Sequence, residues 1–337
     1  MKSLSFGHKI LFIINNIFAF LLLLGYFTTF ISPLLFKITT LLNFCIPVLW
    51  CINLLFALIW IIKLKKQALL SILVILLGWF HIQKIFTFNN VEHQYGEGLK
   101  VMSYNVMQFY SKEDVRRSTY NDINEFVNKA KPEFLCFQEA RIDKKFLFPS
   151  YPYKTDKFAS AELKTAIFSK YPIIDKKHFS FSEGSNNSAV YADIAIENDT
   201  IRLFSIHFES LNLNAIIENE RQLPKERLLK KLGKTFTRQI NQYHTLKPHI
   251  ENSPYPVVIG ADMNNTPLSY LYRQLIGLDL KDTFLESGKN FGKTYDLGIL
   301  PVRIDMILIE ENLKSSNFKN FDVKYSDHYP IMTEIHL

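Results

Sequence analysis

Two long stretches near the start of this chain carry no Asp, Glu, Lys or Arg: Ile10 to Ile31 and Ile38 to Ile62. Each exceeds the roughly 20 apolar residues that take a helix across a bilayer core. The first is too long for the apolar region of a secretory signal, and no small-residue cleavage site follows it. Both are read as transmembrane helices, about 10–31 and 38–62. A shorter run, about 68–84, ends near His81 and Lys84 and is read as a third span. Before Tyr95 the chain holds Lys2, Lys9, Lys37, Lys63, Lys65, Lys66 and Lys84 against Glu92 alone. Nearly all of the net charge of +7 therefore flanks apolar segments, and the basic balance gives little reason to expect a nucleic-acid partner. Lys2, Lys9 and the Lys63–Lys66 cluster mark the cytoplasmic side. Three spans then make a multi-pass protein of the cell membrane, with the lipid bilayer as partner and the rest of the chain extracytoplasmic, on the periplasmic side. Two spans would leave that part in the cytoplasm.

After Phe88 the character changes. Residues 89–98 are polar, include Gly96 and Gly98, and read as a linker. From 99 to 337 short apolar runs alternate with amphipathic stretches, as in a layered α/β domain. Three cysteines rule out a disulfide scaffold. Leu99–Tyr104 reads as a strand ending at Asn105. Residues 118–130 read as a helix stopped by Pro132, with Ile123, Phe126, Val127 and Ala130 on one face. Phe134–Phe137 reads as a buried strand ending at Gln138 and Glu139. Such a strand–helix–strand unit favours adjacent parallel strands, which would put Asn105 and Glu139 on one sheet edge. Further strands are expected at 163–169, 190–196, 201–206, 257–259, 303–309 and 331–336, with a helix over 224–246. Thr266-Pro267 suits a helix start, Thr as cap and Pro in the first turn.

The chemistry-bearing residues follow these strands. Asn105, Glu139, His207, Asp262 with Asn264, and Asp327 with His328 come at strand ends, and Asp305 lies within a strand. Taken singly, an Asn or Asp after a strand is usually a turn residue, and a lone His is usually a satisfied one. Together they gather oxygen and imidazole groups from distant parts of the chain into one cleft. Hard oxygen donors (Asn105, Glu139, Asp327) favour Mg²⁺ or Mn²⁺ over zinc. The set suits hydrolysis of a phosphate ester. A cation offsets charge on the phosphate, Asp262 or an Asp-oriented His activates water, and two histidines and an Asn donate hydrogen bonds to phosphate oxygens.

The segments Ser103-Tyr104-Asn105-Val106, Phe137-Gln138-Glu139, Ile206-His207-Phe208, Gly260-Ala261-Asp262-Met263-Asn264, Arg303-Ile304-Asp305 and Ser326-Asp327-His328-Tyr329-Pro330 occur in that order. In this they resemble the endonuclease/exonuclease/phosphatase superfamily, which has a deoxyribonuclease I-like fold. Asn265–Ser269 and Gly292–Tyr295 resemble segments of a bacterial membrane-anchored branch. The resemblance implies an α/β fold of two packed mixed β-sheets flanked by helices, a four-layer sandwich following the transmembrane helices. It also implies that Asn105 and Glu139 hold the metal with Asp327 near it. Asp262 would orient or deprotonate water, and Asn264 would bind phosphate. His328 would contact the phosphoryl group with its tautomer fixed by Asp305. His207 would stabilise charge or protonate the leaving group. Ala261 departs from the usual Gly-Asp pair, and the motifs of inositol polyphosphate 5-phosphatases are absent.

The expected activity is that of a membrane-anchored, divalent-metal-dependent phosphoesterase acting on a phosphodiester or phosphomonoester through activated water. The substrate stays open among a lipid headgroup, a small phosphoester and nucleic acid. The alternatives are an anchored extracytoplasmic nuclease and a catalytically inactive binding or scaffolding domain. Arg221, Lys225, Arg227, Lys230, Lys231, Lys234 and Arg238 fall beside a stripe of Leu228, Leu232, Phe236 and Ile240. That pattern fits an amphipathic helix with a basic outer face, either an ordinary solvated face or one that meets anionic headgroups.

Overall fold

The computed structural model describes residues 4–36, 39–89, 97–114, 116–141, 148–155, 164–181, 187–211, 225–298 and 300–337. The expected linker residues 90–96, the start of the strand expected from 163, and Arg221 lie outside them. Helices α1 (Phe6–Thr28) and α2 (Thr39–Ile62) pack side by side. Both are long and apolar enough to cross a membrane. The expected third span is shorter and broken: α3 (Ala68–Leu77) stops at Gly78, and α4 (Trp79–Gln83) adds little more than one turn. A Cβ at Gly78 would run into the Tyr26 ring, so glycine leaves room for that α1 side chain at the break. Buried polar groups in these apolar helices find one another. Asn15 Nδ2 donates to Ser71 Oγ at 2.7 Å, and Trp60 Nε1 donates to Asn15 Oδ1 at 3.0 Å.

The remainder begins with β1 (Phe86–Thr87), β2 (Leu99–Asn105), α5 (Tyr120–Ala130), β3 (Phe134–Ala140), β4 (Tyr153–Lys154) and β5 (Lys164–Ser169). There follow β6 (Ile173–Ser180), β7 (Ser188–Ile196), β8 (Asp199–His207), α6 (Lys225–Glu251) and β9 (Val257–Asp262). The last third holds α7 (Tyr270–Ile276), β10 (Leu280–Asp282), α8 (Thr283–Ser287), β11 (Asn290–Phe291), β12 (Tyr295–Leu297), β13 (Leu300–Val302), β14 (Asp305–Glu310), β15 (Lys314–Asn320) and β16 (Ile331–His336). Two six-stranded sheets form, in the orders β15-β16-β2-β3-β5-β4 and β10-β14-β9-β8-β7-β6. Strands β2 and β3 are parallel, as expected of their strand–helix–strand unit, and so are β8 and β9.

Period-two alternation explains the layers. Val101, Phe134 and Cys136 of the first sheet meet Leu203, Val258 and Ile307 of the second in one buried core. The alternate residues face outward. Met102, Tyr104, Leu135 and Phe137 bury Ile123 and Val127 of α5. Phe204, Ile206, Ile259 and Ala261 bury Ile240 and Tyr243 of α6 and Leu271 and Leu275 of α7. The result is the four-layer α/β sandwich expected from the sequence.

Some boundaries differ from expectation. The helix expected from Thr266-Pro267 begins at Tyr270, where Ser269 Oγ accepts from Tyr272 N at 3.2 Å. Thr266 N is instead held by Asn265 Oδ1 at 3.0 Å, which keeps this segment in a turn. Arg303 and Ile304 precede β14 rather than belonging to it. Arg303 is fully buried, donating to Asp282 Oδ2 at 2.8 Å and to the Lys84 carbonyl at 3.0 Å. The helix expected over 224–246 continues to Glu251.

The apolar helices and the sandwich pack together. Leu268 and Ile85 join a buried cluster with Leu22, Tyr26, Ile46 and Leu49. Leu41 and Phe44 of α2 pack against Leu211, Leu232 and Phe236. Strand β1 pairs with β11, and Gly292 N donates to Ile85 O at 2.9 Å, so the chain leaving the helices is strapped to the sandwich.

Candidate active site

At one end of the inter-sheet core the inward-facing positions turn from apolar to polar along each strand. They read Val101-Ser103-Asn105 on β2, Leu203-Ser205-His207 on β8 and Val258-Gly260-Asp262 on β9. The sheets approach closely just before this end. A Cβ on Gly260 would sit 2.7 Å from Cys136 Cβ, a distance real side chains do not adopt. Gln138 bridges the gap: its Nε2 lies 3.2 Å from both Ser103 Oγ and Ser205 Oγ. Ala261 points the other way, into the α6 and α7 layer, so the departure from a Gly-Asp pair leaves the inner face intact.

Strand register sets the floor of the site. His207 pairs with Asp262 across β8 and β9, and Asp305 pairs with Asp262 across β14 and β9. Asn105 joins from the other sheet, its Nδ2 donating to Asp262 Oδ2 at 2.9 Å and lying 3.2 Å from Glu139 Oε1. Glu139 is out of phase with the inward positions of β3. A register shift between Phe137 and Ala140, with Glu139 at φ 49°, turns its carboxylate into the site. Asn264 also has positive φ, 46°. Its N–H donates to Asp262 Oδ1 at 2.9 Å and its Nδ2 to Phe208 O at 3.0 Å. Asn105 meets the carboxylates with its amide N–H, while its Oδ1 accepts from Met107 N at 3.1 Å.

Asp327 and His328 arrive on the loop before β16. Ser326 Oγ anchors this loop by donating to Asn105 O at 2.7 Å. His328 Nδ1 lies 2.9 Å from Asp305 Oδ2, and Nε2 lies 3.6 Å from Asp262 Oδ2. Burial opposes charging His328, but the Asp305 and Asp262 carboxylates hold it well above the ordinary imidazole range. Burial pushes the Asp305 carboxyl up to about 6 while His328 pulls it down. His207 Nε2 stands 3.5 Å from Asp262 Oδ2 and 3.6 Å from Glu139 Oε1. Among the described residues, neither of its buried ring nitrogens has a hydrogen-bond partner. Such a group is costly unless a ligand completes it.

The structure thus brings together Asn105, Glu139, His207, Asp262, Asp305 and His328, with Asn264 beside Asp262. Glu139, Asn264, Asp327 and His328 line one cleft of about 290 Å³, joined by Met107, Gln108, Ser210, Tyr295 and a set of apolar side chains. Sequence reasoning missed several contributors. Thr294 Oγ1 accepts from Asp305 N at 3.0 Å and fixes the start of β14. Tyr295 sets its ring 4.8 Å from that of His328. Gln239 Nε2 donates to Glu209 O at 2.8 Å and so positions the loop after His207. Only Thr294 and Tyr295 carried a signal, in the Gly292–Tyr295 segment.

The donor set fits a hard divalent cation. Among the described residues, Asp262, Asp305 and His328 bring ligand atoms within 4.8 Å of one another. Asp305 and His328, however, already satisfy each other, and Glu139 and Asp327 line the cleft beside them.

A domain of unknown function (DUF8431) matches residues 8–85. No curated protein matches the chain. Among solved structures, an endonuclease/exonuclease/phosphatase from Beutenbergia cavernae superposes with a TM-score of 0.55 at 14% identity, covering 72% of each chain. A humanized D. rerio TDP2 gives 0.54 at 14% identity, covering 72% of this chain and 100% of that one. The Bacteroides thetaiotaomicron mannosyl-6-phosphatase Bt3783 gives 0.51 at 16% identity, covering 71% and 100%. At these identities the likeness is one of fold. The model of the endonuclease/exonuclease/phosphatase family matches residues 102–328, well over half of the sequence and running from before Asn105 to His328, and to that family this chain belongs.

Proposed function

We propose that the protein is a membrane-anchored, divalent-metal-dependent phosphoesterase. The observation that carries this reading is the convergence of Asp262 with His207, Asn105 and the Asp305–His328 pair beneath a cleft lined by Glu139 and Asp327. In this reading Glu139 and Asp327 would hold Mg²⁺ or Mn²⁺, with the Asn105 amide as a further candidate ligand. When bound, the ion neutralises charge on a phosphate oxygen. Asp262 takes a proton from water as the water oxygen bonds to phosphorus and the ester P–O bond breaks. His207 gives the leaving oxygen its proton. Protonated His328, fixed at Nδ1 by Asp305, donates from Nε2 to a phosphate oxygen, and Asn264 Nδ2 donates to another.

The anchoring reading is three spans, with α3 and α4 making the third crossing and the catalytic domain on the face opposite Lys63–Lys66. Two contacts support it. Arg273 stacks 4.6 Å from the Phe30 ring, and Phe44 packs against the sandwich. Both aromatics lie at the end of the helix pair remote from Lys63, about 30 Å along α2.

The test uses the full chain in detergent with bis-p-nitrophenyl phosphate and p-nitrophenyl phosphate. Hydrolysis of at least one should require Mg²⁺ or Mn²⁺ and stop with EDTA. Hydrolysis unaffected by EDTA, or none with either metal, rejects the reading.

A further inference from the structure

We propose that the substrate of this site is a phosphoester with a long apolar tail, taken from the bilayer rather than from solution. The inference rests on the phosphoesterase reading above and adds the class of molecule hydrolysed.

The cleft lining combines two chemistries. One is polar, from Glu139, Asn264, Asp327 and His328. The other is apolar, from Phe44, Leu211, Leu297, Val302 and Ile304. Phe44 does not belong to the sandwich. It sits near the start of α2, a helix apolar enough to cross a membrane. A side chain from the membrane domain therefore forms part of the wall of the cavity that holds the phosphate-directed groups. The apolar lining also includes the hairpin of β12 and β13, which contributes Leu297 and Val302 and leaves Leu300 at its tip 45% exposed. The apolar lining thus continues from the cleft onto α2.

Charge points the same way. Helix α6 buries Leu232 and Phe236 in the cluster that includes Leu41 and Phe44, and it exposes Arg227, Lys230, Lys231 and Lys234. A basic helix face beside the end of a membrane helix suits an anionic headgroup layer. A nucleic-acid groove calls for cations and stacking rings along the cleft. Among the described residues, the cleft lining holds no Lys or Arg, and four of its side chains, Leu211, Leu297, Val302 and Ile304, are aliphatic. A headgroup phosphate would meet the polar groups while its tail stays against Phe44 and Leu297, where each buried methylene adds affinity.

The test compares ethyl and dodecyl p-nitrophenyl phosphate, and the matching alkyl monoesters by phosphate release. The full chain is used in phosphatidylcholine nanodiscs with Mn²⁺, and a single-stranded DNA oligomer is tried alongside. Dodecyl kcat/KM should exceed ethyl kcat/KM at least tenfold. Phe44→Ser and Leu297→Ser should each cut that ratio at least threefold, the second from the sandwich side should the first fail to fold. Leu58→Ser, at an exposed α2 position outside the cleft lining, should leave the ratio unchanged. A wild-type ratio near one overturns the proposal. So does a ratio that both cleft variants leave intact, or DNA cleaved in preference to every alkyl ester. Failure to hydrolyse bis-p-nitrophenyl phosphate, p-nitrophenyl phosphate and every alkyl ester rejects the phosphoesterase reading itself, and this inference falls with it.

Discussion

Asp305 Oδ2 lies 2.9 Å from Nδ1 of His328, and both side chains are buried at the base of the cleft. The carboxylate fixes which imidazole nitrogen faces Asp262 and the space above it. Asp305→Asn keeps the shape but removes the charge that holds the ring protonated. Turnover should fall roughly 10²–10⁴-fold, as for loss of positioned acid–base chemistry. KM should change far less, and His328→Gln should give a loss of similar size that does not add to it. Steady-state kinetics on the single and double variants check this, and additive losses would separate the two residues.

The same pair makes the metal-free protein pH-sensitive. Asp305 and His328 both have folded values above their unfolded ones, about 3.9 and 6.5. At these two sites the folded chain therefore holds more protons, and their contribution to stability falls as pH rises. Asp305 loses its contribution between about pH 4 and 6, and His328 loses its own above about 6.5. In EDTA the unfolding temperature should drop from pH 6.5 to 8.5, with a shallower slope in Asp305→Asn. A rise over that range contradicts the assignment.

Gly260 marks where the sheets nearly touch. Gly260→Ala places a Cβ 2.7 Å from Cys136 Cβ, where neither backbone can yield cheaply. Overpacking of this kind costs about 1–3 kcal/mol. Gly277→Ala, whose nearest contact would be 3.4 Å, is the comparison and should cost less in the same denaturant titration.

Arg303 is fully buried against Asp282, and Tyr272 Oη donates to the same carboxylate at 2.9 Å. Arg303→Met leaves that carboxylate buried without its cation, a loss of about 3–5 kcal/mol. The substitution also frees the Lys84 carbonyl, so protease cleavage near residue 89 should speed up. Limited proteolysis of the two proteins measures both effects.

A periplasm-active reporter fused after Phe88 should be active, and one fused after Lys66 silent. Silence at both positions would leave two spans and place the catalytic domain in the cytoplasm.

Much of the site was legible because alternation is a local rule. Asn105, His207, Asp262 and Asp305 share the inner face by parity alone, and the strand–helix–strand unit fixed Asn105 beside the end of β3. Glu139 was legible as a strand-end acid, but its parity points it away from the site. The bulge that re-aims it is a backbone feature no residue type announces. The turn at Thr266 was misread because Asn265 competes for the backbone that a helix cap would use. Phe44 could not be found at all, since nothing in an apolar helix says which of its side chains will meet a partner two hundred residues away.

The pairing of β1 with β11 also bears on how the protein must be handled. Cutting the chain after the apolar helices would strip Leu268 of its cover, leave the Phe291 edge bare and take Phe44 out of the cleft lining. The sandwich is thus no passenger on a leash, and an excised fragment is an injured molecule whose kinetics would describe the wound.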